Sequence, residues 1–175
     1  FPALFNISVI RNAQGVRTHH IAVFSDLSQI KRTEQKLDFL VHRDPLTELP
    51  NRVLFHELLF HAIQQNEQNH TRFALLFLDL VNFKMINESL GPSLGDKLLI
   101  EVANRFRKLF PNVNAIARVG GDIFNIILEQ NEHALGPDLV AQQIIDAFNE
   151  PFEIDGHQVY SGVSIGIALY PEDGL

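Results

Sequence analysis

The chain has 175 residues, of which 46% are hydrophobic and none is cysteine, so it can bury one core and forms neither disulfides nor thiolate metal sites. Its formal net charge of −7 disfavours nucleic acid as a partner, because phosphate backbones are bound by clustered lysine and arginine. The longest apolar run, residues 73–78, is far shorter than the roughly 20 residues of a membrane helix, so we expect a cytoplasmic segment without membrane contact, even if the parent protein is anchored elsewhere.

The first 25 residues are predicted to form a β-hairpin. Residues 5–11 and 18–25 alternate between apolar and polar side chains on either side of the turn sequence NAQG. An isolated hairpin is only marginally stable in water, so we expect this one to belong to a larger sheet that begins upstream.

Residues 26–43 are predicted to form a connecting helix. Apolar side chains recur at near-heptad spacing among charged ones, at Ile30, Leu37 and Leu40 or Val41. Asp26 or Ser28 is expected to cap the helix. The spacing fits a short coiled coil with a partner chain and fits a solvent-exposed linker equally well.

The main domain is expected to begin at DPLTELPNR, residues 44–52, because its prolines interrupt a helix and Asn51 can cap the next one. The patterns that follow predict a helix around 54–62, a strand covered on both faces at 72–80, a helix at 95–110, a strand–turn–strand at 115–128, a helix at 138–149, and strands at 152–160 and 163–170 with a turn at Asp155-Gly156. This order predicts an α/β fold with a mixed central sheet flanked by helices.

Two carboxylates fall at informative places in this order. Asp79 ends the apolar strand, where an unpaired carboxylate costs several kcal/mol of desolvation, and Asp122 follows Gly120 and Gly121 in a turn. If the hairpin lies beside that strand, both acids meet at one edge of the sheet and suit Mg²⁺, which prefers oxygen ligands. The alternative is that Asp79 caps a loop and Asp122 fills the turn.

Residues 81–96 carry three further polar side chains that suit a phosphorylated base. Lys84 offers a charge for phosphate, and Asn87 and Asp96 offer partners for a purine edge. Asn87 and Asp96 are also ordinary helix-capping residues. His56 and His61 are five apart, which does not match the HExxH zinc spacing.

The motifs LDLVNFKMINESLGPSLGD and RVGGDIF, with DPLTELPNR before them and VSIGIALYP after them, resemble the GGDEF domain of the diguanylate cyclase family over residues 44–175. The resemblance implies a fold like that of nucleotidyl cyclases and polymerase palm domains. It also implies that two half-sites of a dimer, each with one GTP and Mg²⁺, form cyclic di-GMP. Residues 1–25 resemble the last strands of a PAS sensor domain, followed by the linker helix at 26–43.

This resemblance assigns a role to each motif residue. It assigns Asp79 and Asp122 to the metal, Lys84 to phosphate, Asn87 and Asp96 to the guanine edge, and Gly120 and Gly121 to close approach of the turn to the nucleotide.

The chain also departs from the family pattern. Ile123 stands where a second acid is expected, Val81 replaces another acid, and Pro92 replaces a polar residue. Loss of a general base costs roughly 10²- to 10⁴-fold in rate, so little or no cyclase turnover is expected and no residue is assigned as catalytic. The alternative is that Ile123 faces the core and Asp122 alone suffices for one Mg²⁺. Residues 111–114 read PNVN in place of the Arg-x-x-Asp of the family's inhibitory site, so feedback binding of cyclic di-GMP is not expected. The resemblance also implies a basic segment after residue 175 that holds the triphosphate, so we expect reduced GTP affinity when that segment is absent.

Three functions follow from these motifs. The first is a degenerate GGDEF domain that binds GTP and relays a signal from a PAS sensor to an output domain, such as an EAL-type phosphodiesterase. The second is a slow diguanylate cyclase. The third is a nucleotide-free dimerisation scaffold that pairs through the linker helix or through GGDEF faces.

Overall fold

A computed structural model describes residues 3–69, 71–111, 115–130 and 135–174. The chain divides into two compact units, residues 1–40 and 41–175. Within the described ranges, we find no helix with the length and apolar character required to cross a bilayer.

The N-terminal unit contains the predicted hairpin. Strands β1 (Ala3–Arg11) and β2 (Arg17–Asp26) pair in antiparallel register. Oδ1 of Asn12 accepts hydrogen bonds from the N–H groups of Gln14 and Val16, which closes the turn. Helix α1 (Ser28–His42) follows, and Oδ1 of Asp26 accepts the N–H of Ser28 at its start. The hairpin, the helix and the Asp26 cap are confirmed, whereas the PAS origin and the linking role remain predictions.

The larger unit contains four helices and six strands in its described residues. They are α2 (Arg52–Asn69), β3 (Arg72–Leu80), α3 (Phe83–Leu90), α4 (Pro92–Leu109), β4 (Ile116–Gly120), β5 (Ile123–Gln130), α5 (Pro137–Phe148), β6 (Phe152–Ile154), β7 (His157–Val159) and β8 (Val163–Tyr170). Asn51 caps α2 as predicted, because its Oδ1 accepts the N–H groups of Val53 and Leu54. The turn between β6 and β7 is also confirmed, with Asp155 and Gly156 at φ values of 52° and 79°.

The central sheet has the strand order β4-β5-β3-β8. The predicted α/β architecture, a sheet flanked by helices, is confirmed. The expectation of a mixed sheet is corrected, because all three strand pairings described in this sheet are antiparallel. Each helical connection, from β3 to β4 and from β5 to β8, passes over a neighbouring strand, so parallel strands are never adjacent.

Helices cover the two faces of the sheet unequally. The larger core includes Leu76 and Leu78 of β3 and the α4 residue Phe106. A smaller cluster on the other face joins Phe55 of α2 to Phe73 of β3. Along β3 this smaller cluster ends at Leu75, and Phe77 is 46% exposed. The prediction that both faces of β3 are covered is therefore wrong for its second half, because α2 packs only over the first half.

Candidate functional site

Asp79 lies at the open end of β3, between two neighbouring strands. Its register partners are Ile123 on β5 and Ser164 on β8. Side chains alternate along a strand, so Asp79 shares the open face with Phe77, while the flanking leucines are buried in the larger core. This face carries a hollow of about 440 Å³ that is lined by Phe77, Leu78, Asp79, Ile123, Ser164, Ile165 and Gly166. Asp79 is the one ionisable side chain in that lining.

The turn between β4 and β5 brings the second acid to the same end of the sheet. Gly120 has φ 151° and Gly121 has φ 54°, which are conformations that residues with a Cβ rarely adopt. Among the described residues, nothing lies within 4 Å of a Cβ built on either glycine, so the turn presents open backbone. The N–H of Leu80 donates to the carbonyl oxygen of Asp122 at 3.3 Å, which holds the turn beside the end of β3.

Ile123 faces the hollow and is 42% exposed. The alternative that this side chain enters the core is therefore wrong. An acid at position 123 would lie opposite Asp79 across the strand pair, on the same face of the sheet. The side chain of Ile123 itself places no charge at this position.

The site offers few protein ligands for a metal. In the described ranges, no group of three or more histidine, aspartate or glutamate side chains is placed to hold an ion. Val81 stands two residues after Asp79, with its N–H bonded to the carbonyl oxygen of Gly162 at 2.9 Å and its side chain exposed. Two carboxylates leave most of an octahedral shell to water and phosphate oxygens, which is how Mg²⁺ is commonly bound. Asp79 and Asp122 lie at the same end of the sheet, and their assignment to Mg²⁺ stays a prediction.

Residues 82–90 contain a helix that the sequence interpretation missed. Asn82 has φ 63°, and in the described structure no side-chain hydrogen bond caps the start of α3. Lys84 lies in the first turn, where the helix dipole and backbone N–H groups favour an anion. Its side chain is 89% exposed and lies 3.9 Å from Glu88, a distance at which an exposed ion pair contributes little. Lys84 is therefore accessible to a phosphate. The apolar spacing of Phe83, Ile86 and Leu90 was the signal for this helix.

Asn87 packs against α4 through Gly95. Gly95 is buried, and a Cβ built there would overlap Oδ1 of Asn87. That oxygen is itself buried and has no hydrogen-bond partner among the described residues. An unsatisfied buried acceptor costs about 1–3 kcal/mol, so a ligand N–H at this position would recover a lost interaction.

Asp96 follows Gly95 on α4 and is exposed. The alternative that Asn87 and Asp96 cap helices is wrong, because Asn87 lies inside α3 and Asp96 lies inside α4. Gly91 is the residue between the two helices, with φ 87°. Asn87 and Asp96 thus come from adjacent packed helices, one residue from each.

A family model described as "Diguanylate cyclase, GGDEF domain" matches residues 41–175. The chain belongs to this family. The chain is 41% identical over 168 residues to the bifunctional diguanylate cyclase/cyclic di-GMP phosphodiesterase MucR of Pseudomonas aeruginosa, a match that covers 96% of this chain and 24% of MucR. The chain thus spans about a quarter of the length of that relative.

Solved GGDEF structures share the fold. The GGDEF domain of TpbB from Pseudomonas aeruginosa superposes with a TM-score of 0.65 at 36% identity, covering 76% of this chain and 79% of that one. A sensory box/GGDEF family protein from Caulobacter crescentus gives a TM-score of 0.67 at 33% identity, covering 76% and 86%. The expected palm-like fold of this GGDEF domain is therefore confirmed. The predicted loss of the inhibitory site stays a prediction, because residues 112–114 lie outside the described residues.

Proposed function

We propose that this GGDEF domain binds GTP with Mg²⁺ and acts as a regulatory module with little or no cyclase turnover. One observation carries the proposal: Ile123 occupies the position opposite Asp79 and faces the open hollow. Its side chain can neither accept a proton nor ligate a metal, and loss of a general base costs roughly 10²- to 10⁴-fold in rate.

Binding is supported at three places around α3. Asn87 presents a buried acceptor without a partner, which suits an N–H of a guanine edge, and Asp96 offers a second acceptor on the next helix. Lys84 and the first turn of α3 supply positive potential for phosphate. These groups are independent of Ile123, so nucleotide binding survives the loss of the acid.

Asp79 and Asp122 are the residues that would hold Mg²⁺. When bound, the ion neutralises phosphate charge and orients the phosphate oxygens. Through the ion, the two carboxylates would hold the triphosphate at the end of β3. The glycine turn lets backbone approach it, because no Cβ at Gly120 or Gly121 stands in the way.

The proposed signalling context follows the order of segments along the chain. Residues 1–25 would end a PAS sensor, residues 26–43 would transmit its signal, and residues 44–175 would receive it. The name of MucR couples diguanylate cyclase with cyclic di-GMP phosphodiesterase, which supports an EAL-type phosphodiesterase as the output domain in this parent protein. Exposed Ile30, Leu37 and Leu40 on α1 support a homodimer through the linker helix, with the GGDEF faces as the other candidate surface.

A second candidate function is a slow diguanylate cyclase, favoured by the retention of both Asp79 and Asp122 at one end of the sheet. A third is a scaffold without nucleotide, which is favoured if Pro92, at the first position of α4, abolishes nucleotide binding.

A calorimetric titration of GTP and Mg²⁺ into the parent protein separates these functions. Saturable binding without continuing heat, and without linear or cyclic dinucleotide in the products, is the expected result. Steady heat after saturation, with dinucleotide formed, would establish the cyclase. If no heat of binding is observed, the nucleotide-free scaffold is the remaining function and the proposed GTP binding is wrong.

A further inference from the structure

Arg118 connects the glycine turn to a distant part of the chain. Its Nε and Nη2 atoms both donate to the carbonyl oxygen of Gly121, at 2.9 and 2.7 Å. Its Nη1 atom donates to both carboxylate oxygens of Asp44, at 3.0 and 3.1 Å. The two side chains are only 13% and 16% exposed, so this pair is well shielded from water. Two donors on one carbonyl fix the orientation of the peptide that precedes Asp122.

Asp44 is itself held rigidly. Its Oδ1 accepts hydrogen bonds from the N–H of Thr47 at 2.8 Å and from the Thr47 hydroxyl at 2.6 Å. Thr47 is 2% exposed, and the N–H of Arg118 donates to the carbonyl oxygen of Pro50 at 2.9 Å. The segment 44–50 is therefore fixed against β4, and Asp44 acts as an anchor for the guanidinium group.

The same segment is bonded to the end of α1. The N–H of Asn51 donates to the carbonyl oxygen of His42 at 2.9 Å, and its Nδ2 donates to that of Val41 at 2.7 Å. Asp44 is the first residue of the segment 44–50, and Asn51 directly follows its last residue. Hydrogen bonds thus run from the last turn of α1 through this segment and Arg118 to Gly121.

We propose that Arg118 is a positioning residue for the nucleotide-binding turn, and that the Asp44–Arg118 pair couples the end of α1 to the metal-side carboxylate Asp122. The nucleotide part of this inference rests on the proposed GTP binding. A displacement of the end of α1 moves Asp44, and Arg118 transmits that movement to Gly121. The coupling is reciprocal, so GTP with Mg²⁺ also stabilises the arrangement of residues 41–51.

The first test uses R118K and D44N in the parent protein. Lysine keeps the charge of Arg118 but cannot bond Gly121 and Asp44 together. We expect both variants to weaken binding of Mg²⁺·GTP about tenfold, with unchanged affinity for guanosine, which reaches only the guanine side of the site. If the variants weaken the binding of guanosine as much as the binding of Mg²⁺·GTP, the positioning role is wrong.

R105K is the matched control. Arg105 also donates to backbone carbonyls, those of Ala147, Glu150 and Pro151, each at 2.8 Å, but these belong to α5 and the segment between α5 and β6 and not to the glycine turn. We expect R105K to lower the melting temperature without changing the ratio of the two affinities. If R105K changes the ratio of the two affinities as much as R118K does, the inference is wrong.

Hydrogen–deuterium exchange tests the structural link without any ligand, and so separates its failure from failure of GTP binding. We expect faster exchange of residues 118–124 and 41–51 in R118K and in D44N, with unchanged exchange in α5. If wild-type protein binds no GTP, the proposed function fails while this measurement still decides the coupling. Unchanged exchange in residues 118–124 and 41–51 would overturn it.

Discussion

Asp79 on β3 and Ile123 on β5 are direct partners in the antiparallel register, and both face the same open hollow. One carboxylate and one branched aliphatic side chain thus occupy a pair of positions where the family resemblance implies two acids. This relationship makes the proposed loss of turnover a property of one face of the sheet, and substitution at position 123 tests it.

Restoring both missing acids should restore synthesis. We expect Ile123→Glu combined with Val81→Asp to raise the rate of cyclic di-GMP formation from GTP by roughly 10²- to 10⁴-fold over wild type, because a general base and a further metal ligand return. Both positions are exposed, so hydration supports the new charges. Product chromatography measures the rate.

Ile145→Glu provides the control for this pair, since Ile145 is 41% exposed on α5 and Ile123 is 42% exposed on β5. The control should gain no synthesis. If the double variant stays silent while it binds GTP normally, residues beyond these two acids have also changed, and the reading of Ile123 as the decisive loss is wrong.

Gly95→Ala should separate binding from stability. The new methyl group takes the place of Oδ1 of Asn87, so the asparagine must rotate away from its present position. Alanine favours a helix over glycine by about 1 kcal/mol, which offsets part of the cost of that rotation. We therefore expect unfolding free energy within about 1 kcal/mol of wild type, and GTP affinity reduced more than tenfold.

Ser93→Ala on the same helix is the companion variant, because Ser93 is exposed and should leave both quantities unchanged. Denaturant unfolding and calorimetry give the two values. Normal GTP affinity in Gly95→Ala would show that Asn87 does not contact the nucleotide.

Asp79→Asn should mimic removal of Mg²⁺. The amide has lost the negative charge that holds a divalent ion, so the gain in GTP affinity on adding Mg²⁺ should largely disappear. In wild type, chelation of Mg²⁺ should lower the affinity for GTP to the value measured for the variant. Asp138→Asn, an exposed change on α5, should keep the full effect of Mg²⁺. If Mg²⁺ raises the GTP affinity of Asp79→Asn as much as that of wild type, Asp79 is not a ligand of the metal.

Asp44 should make the domain sensitive to acid. Burial acts to raise its pKa, but the hydrogen bonds from Thr47 and the charge of Arg118 lower the pKa below the ordinary value. A carboxylate with a lowered folded-state pKa contributes stability above its unfolded value, about 3.9, and that contribution is lost as pH falls through the folded-state pKa.

The variant D44N tests this dependence. It should be less stable than wild type at pH 7, and the difference should shrink as the pH falls below about 4. Urea unfolding at several pH values measures it. A difference that is constant with pH would mean that the ionised form of Asp44 contributes nothing.

Local signals gave the reliable part of the sequence prediction. Asn51 caps α2 and Asp155-Gly156 forms its turn because both depend on residues one to three positions away. The open face at Phe77 was missed because a continuous apolar run does not show where a covering helix ends.

Long-range partners account for the other omissions. The role of Arg118 depends on Asp44, 74 residues earlier, and no local pattern connects the two. The position of Asn87 against Gly95 depends on α3, whose residues were interpreted only as a motif. The metal and nucleotide roles of the motif residues stay predictions until the experiments above are done.

The strand order has a consequence for how this domain is made. β3 leaves the ribosome before both of its neighbours in the central sheet, β5 and β8, and helices α3, α4 and α5 lie between β3 and β8 in the sequence. Such long-range pairings are slow to form, because the intervening chain must be ordered first. Asp79 therefore acquires its surroundings only after β8 has been made, so a nascent chain that lacks β8 should not form the hollow beside Asp79.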